Sequence, residues 1–215
     1  MIWILVILFG FPTFFSLIAA MNKNGYAFVE PSSSVKTAAY DQKIPRYEVI
    51  YIGGVNSTDD KFQRHVDTLA AQEVEPVLQD VRFYGFRNNS AGIFDWFEVV
   101  SWGYPLNAAG IKDPMTSYMT DALAQRVLES KSRYVILIGH SQGAQFARQV
   151  ANQVLEEQPD RVDRLAVVYI EPFLVRAPNK KVPVVTVKSA GGHKLDSYLQ
   201  HPGLIGTALQ EVSQN

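Results

Sequence analysis

Residues 133–150 read RYVILIGHSQGAQFARQV, and they place Ser141 between Gly139 and Gly143 in the pattern Gly-x-Ser-x-Gly. A continuous apolar run precedes the serine. A helical pattern follows it, with Ala144, Ala147, Val150, Ala151 and Val154 on one face. A corner this sharp between strand and helix leaves no room for side chains beside it, and glycine at 139 and 143 removes the collision. The corner lifts the Ser141 hydroxyl above the sheet edge. It also puts the N–H of Gln142 at a helix N-terminus, where partial positive charge favours an oxyanion. An accessible hydroxyl and a donor for developing negative charge are what acyl transfer through serine requires. The other reading of these five residues is a glycine-rich structural turn. The strand before the motif and the amphipathic helix after it favour the chemical one.

The elements that would hold this corner can be read along the chain. YEVIYIGG (47–54), DVRFYGF (80–86), RYVILIG (133–139), DRLAVVYIEP (163–172) and VPVVTVKSAGGH (182–193) are apolar, β-branched or aromatic runs that end in turn residues, as buried strands do. Between them lie helical patterns at 57–74, 113–130 and 142–158, and another follows the last at 203–212. Ser57 or Thr58 is suited to cap the first, and Asp113-Pro114 to start the second. Residues 87–112 have no assignable period. The aromatic stretch 83–104 is core, the lining of an acyl pocket or a cap. Strands apolar on both faces, alternating with helices, predict a mostly parallel sheet of about five strands sandwiched by helices. In such sheets ligands bind at the carboxyl ends of the strands, where the glycines at 53–54, 139–143 and 191–192 all fall.

Composition narrows the function classes. The chain has 215 residues, 47% of them hydrophobic, and a formal net charge of −1, which suits one domain with a sizeable core. No basic stripe marks a nucleic-acid surface. The absence of cysteine excludes disulfides, thiolate metal sites and a cysteine nucleophile. Residues 1–21, MIWILVILFGFPTFFSLIAAM, carry no charge and are long enough as a helix to cross a bilayer's hydrocarbon core. They are read as a signal anchor, with a cleaved signal peptide and a buried core helix as alternatives. The protein is therefore expected to be membrane-anchored through this single segment, or secreted. Residues 22–45 read as a linker or extended arm, and 46–215 as the catalytic domain.

GHSQG resembles the nucleophile elbow of the α/β-hydrolase superfamily, in its lipase and esterase branch. The likeness spans roughly residues 46–212 and is similar in scale to the smallest, cutinase-sized members. The resemblance implies a triad in the order nucleophile, acid, histidine. The base is then His193, in the Gly-Gly-His turn after the last strand, or His201 beside Pro202. The acid is Glu171, at the end of the strand next to that of the serine, or Asp196. The usual Gly-x-x-Asp is missing after 182–188. The second oxyanion donor is the backbone N–H of Gly54 or Val55, beside that of Gln142; the family often carries His-Gly where this chain has Gly-Gly.

The activity implied is hydrolysis of carboxylic esters, small-molecule or lipid, through an acyl-enzyme on Ser141, with no cofactor and no metal. A metal site of His193, Asp196 and His201 fits no common ligand spacing. An acyltransferase or thioesterase would use the same triad, and a non-catalytic membrane-tethered binding domain would use the same scaffold. Oligomeric state is not legible in the sequence.

Overall fold

The computed structural model of the chain describes residues 26–32, 44–54, 58–88, 117–172, 175, 177–178, 181–188, 195, 199 and 203–214. Their frame is a six-stranded sheet built from β1 (Tyr26–Val29), β2 (Tyr47–Ile52), β3 (Val81–Asn88), β4 (Tyr134–His140), β5 (Leu165–Ile170) and β6 (Val184–Val187). The order across the sheet is β1-β3-β2-β4-β5-β6. Every neighbouring pair is parallel except β1 with β3.

The five apolar runs of the sequence are the five parallel strands. The sixth strand, β1, lies within the stretch read as an extended arm. Four residues with half-exposed side chains give too short a pattern to stand out from a linker, and β1 is defined by pairing with the distant β3 edge. Beyond β1 the chain is fastened to the first helix. The Ser32 N–H donates to Asp67 (2.6 Å), and the Gln63 side-chain amide donates to the Glu30 carbonyl (2.8 Å). The apolar segment 1–21 lies outside the described residues. Among the described residues no helix is long and apolar enough to cross a membrane.

Helices cover both faces of the sheet. On one lie α1 (Asp59–Leu69), which runs on into a π-helical turn Ala70–Val74, and α4 (Leu204–Gln214). On the other lie α2 (Ser117–Glu129) and α3 (Gln142–Glu157). Successive strand residues serve the two cores in turn. Val49, Tyr51, Ile136, Ile138, Val168 and Ile170 pack with α1 and α4. Ile50, Ile52, Leu137, Val167 and Tyr169 pack with α2 and α3. Thr58 is the N-cap of α1, but its side chain makes no capping hydrogen bond. Asp59 instead pairs with Arg87 of β3, and the guanidinium holds its carboxyl below the usual carboxylate value.

The connections set the position of the site. From β2 the chain passes through α1 to β3 on one side; from β4 it passes through α3 to β5 on the other. The segments leaving β2 and β4 therefore diverge. The carboxyl ends of these adjacent strands form the topological switch point at which open α/β sheets bind ligands.

The opposite edge is held by a buried ionic network. Glu48 of β2 is 2% exposed. Its carboxylate accepts hydrogen bonds from Tyr84 (2.5 Å) and Ser130 and pairs with Arg126 (2.9 Å). Arg126 also donates to the Tyr84 hydroxyl (3.0 Å). Arg161 donates to the carbonyls of Val127, Leu128 and Ser130, satisfying the end of α2. Replacing Arg126 by Met leaves a buried carboxylate without its cation. The expected loss is about 2–3 kcal/mol, below the roughly 3–5 kcal/mol of a fully buried pair because Arg126 keeps 36% of its side-chain surface in water. Urea midpoints measured beside the parent chain check this.

Burial, and then the nearby Glu48 carboxylate, push the Tyr84 phenol far above its usual value near 10. Burial does the same to Tyr169, against the opposing pull of Arg148. An unfolded chain would release these protons first, so this contribution to stability is intact below pH 10 and falls as pH rises beyond it. In an alkaline absorbance titration Tyr84 and Tyr169 should ionise only as the fold is lost. Early ionisation of both would contradict their burial.

Candidate active site

Ser141 sits between β4 and the 16-residue helix α3 with φ 53° and ψ −118°. This left-handed backbone costs a non-glycine residue on the order of 1–3 kcal/mol and persists only where the surroundings enforce it. Several contacts do so. The Ser141 N–H donates to the Ile170 carbonyl of β5 (3.0 Å), and the Ala144 N–H donates to the Ser141 carbonyl (3.1 Å). The first turn of α3 lies directly on the end of β2. A Cβ at Gly143 would stand 2.1 Å from the Ile52 carbonyl oxygen, and one at Gly139 would stand 2.5 Å from the Ala144 Cα. Backbone occupies both spaces, so only glycine fits.

The two strand ends at the switch point meet at this corner. A Cβ built on Gly54 would lie 3.2 Å from the Ser141 Cβ and 3.2 Å from the His140 carbonyl. The backbone at Gly54 thus runs alongside the serine. Gln142 is the first residue of α3, so its N–H has no acceptor one turn back within the helix. It stands at the positive end of the helix dipole. Ser141, Gly54 and Gln142, proposed from the sequence, therefore lie together.

Glu171 stands beside them. Ile170 pairs with His140, so Glu171 is in register with Ser141 one strand away, about 4.8 Å in backbone spacing. Its φ is also positive, at 45°, and its N–H donates to the Val187 carbonyl of β6 (3.1 Å). Two non-glycine residues in left-handed conformation thus end neighbouring strands at the same edge. Among the described residues the third is Asp80, at the opposite edge before β3, where its carbonyl accepts from the Tyr47 N–H (3.1 Å).

The histidines proposed as base, His193 and His201, and the alternative acid Asp196 lie outside the described residues. So do Val55 and residues 89–104 of the aromatic stretch. Described residues flank the stretch that holds these histidines. β6 leads into it, Leu195 is buried in the core under α1 and α4, and Gly203 begins the turn into α4.

One residue that the sequence did not single out fixes that last point. Glu73, fully buried in the π-helical turn after α1, accepts hydrogen bonds from the N–H groups of Gly203 (2.8 Å) and Gly206 (2.6 Å). A carboxylate at a helix N-terminus satisfies orphan donors and opposes the dipole. The available signal was a glutamate beside Ala70 and Val74 on an otherwise apolar face.

A cavity of about 380 Å³ bounded by Tyr47, Tyr134, Arg164, Lys181 and Val212 opens at the amino edge. It is a full strand length from Ser141 and plays no part in this site. Among the described residues no three His, Asp or Glu side chains are grouped to hold a metal ion.

Neither a family model nor a curated protein matches this chain. Solved structures do. One is a lipase-esterase related protein from Clostridium acetobutylicum ATCC 824, at 16% identity and a TM-score of 0.34, over 68% of this chain and 46% of that one. The chain thus spans less than half of that protein's length. Another is an IroE-like serine hydrolase from Shewanella oneidensis, at 10% identity and a TM-score of 0.36, over 88% of this chain and 74% of that one.

The packing at Gly143 yields a direct expectation. Gly143→Ala must push α3 off the end of β2, costing about 1–3 kcal/mol or more, and displace Ser141. Gly54→Ala meets contacts of 3.2 Å, which a few tenths of an ångström relieve. Thermal melts with serine-probe labelling should show loss of both stability and labelling for the first. The second should lose labelling with little change in melting temperature.

Proposed function

We propose that this chain is a serine hydrolase that cleaves carboxylic esters through an acyl-enzyme on Ser141. The observation that carries the reading is the enforced left-handed Ser141, with the Gly54 backbone against it at the switch point between β2 and β4. The serine oxygen attacks the ester carbonyl carbon as His193 takes its proton. The N–H groups of Gln142 and Gly54 hold the resulting oxyanion. Collapse breaks the bond to the alkoxy group, which leaves with the proton from His193. Water, deprotonated by the same imidazole, then releases the acid and restores Ser141. Glu171 orients the imidazole and stabilises its charged form. The cycle needs no cofactor.

Residues 1–21 hold the enzyme on a membrane in this reading. Their uncharged run is long enough to span one, and Lys23 follows at the interface.

A fluorophosphonate probe tests the chemistry, because it bonds only to a serine activated by a working base. The full chain should be labelled. Ser141→Ala should lose labelling completely and ester turnover by about 10³-fold or more, while its circular dichroism stays that of the parent. Undiminished turnover in the variant would refute the assignment.

A further inference from the structure

The β1 register bears on where the substrate comes from. Tyr26 pairs with Asn88, Phe28 with Phe86, Phe86 with Ile52, and Ile52 with Gly139. Two residues beyond that row stand Tyr26, Asn88, Gly54 and Ser141. β1 runs antiparallel to the others, so its first residue, not its last, is at the carboxyl edge. The chain thus enters the sheet level with the serine, three strand spacings or about 14 Å to its side.

The reach of the apolar segment follows from this. Residues 21 to 26 are five Cα steps apart, at most about 17 Å. A free arm from residue 21 to residue 46 would allow about 85 Å. β1 removes that freedom. It is paired to β3, stacked through Tyr26 on Phe86 (5.4 Å between ring centroids), and tied beyond its end to α1. Phe28 remains 42% exposed beside it. Lys23 lies between the apolar run and β1, and Tyr26 opens the strand. Lysine beside an apolar span settles at the lipid headgroup level.

The geometry points to the carboxyl edge of the sheet as a surface held against a lipid bilayer. The Ser141 corner then faces the membrane and takes esters carried by the bilayer itself. This rests on the hydrolase reading for the chemistry and on residues 1–21 as the anchor, and the two are separable by experiment.

The chain has no cysteine, so single cysteines can carry a fluorophore. Thr58→Cys puts one at the carboxyl edge before α1, and Lys131→Cys puts one at the amino edge before β4; both positions are exposed. The seven residues of β4 set these edges more than about 20 Å apart. The full chain is reconstituted in phosphatidylcholine vesicles with headgroup nitroxide lipids. Quenching should be several-fold stronger at position 58 than at position 131. Equal quenching, the reverse order, or protein that does not float with the vesicles would overturn the inference.

Fluorophosphonate labelling of the same vesicles keeps the two readings apart. Labelling without edge bias sinks the orientation and leaves the hydrolase reading. Edge bias without labelling does the opposite. A twenty-residue Gly/Ser insertion after Lys23 should erase the bias. It should also slow hydrolysis of a long-chain ester in the vesicles several-fold, with a water-soluble short-chain ester unaffected. Unchanged hydrolysis of the vesicle ester would also overturn the inference.

Discussion

The close approach of the first turn of α3 to the end of β2 governs the rest of the site. A helix can begin there only if Gly143 presents no side chain to the Ile52 carbonyl, and Gly139 none to Ala144. Once the helix is seated, the residue joining it to β4 has no ordinary backbone conformation open to it, and Ser141 takes the left-handed one. The strain is maintained by the packing of buried strands on both sides. It brings the serine, the Gln142 N–H and the Gly54 backbone to one point. A serine in an unstrained turn would lie flat along the sheet edge, away from any donor.

The same edge collects the other unusual features. Glu171 ends β5 in register with Ser141 and shares its positive φ. Away from that edge, Glu73 ties the π-helical turn after α1 to the start of α4. The amino edge has a different character. Glu48, Tyr84, Arg126 and Ser130 form a closed ionic knot there, and Arg161 finishes the end of α2. Such a network adds little net stability over an apolar core, yet breaking it is costly. Its effect is to fix the floor of the sheet on which the strained edge stands.

β1 links the fold to its surroundings. As an antiparallel edge strand it completes one side of the sheet and reverses the direction from which the chain enters. A parallel strand in that place would have put its leading end at the amino edge, a strand length from the serine. Four residues thus set the edge of the sheet at which the chain preceding Tyr26 joins the domain.

Much of this was legible in the amino-acid sequence. The five parallel strands are continuous apolar runs, the helices between them have clear apolar faces, and Gly-x-Ser-x-Gly between a strand and a helix has few physical solutions. These are local patterns, and local sterics and periodicity are enough to set them. The rest depended on contacts between residues far apart in the chain. The β1 strand exists because β3 offers an unpaired edge. Gly54 reaches Ser141 because β2 and β4 are neighbours in the sheet though distant in sequence. Glu48 and Glu73 are tolerated in the core because their partners come from elements 36 to 133 residues away. Sequence alone determined which residues could perform the chemistry. Tertiary structure decided which of them meet, because strand order and register depend on pairings that local pattern does not encode.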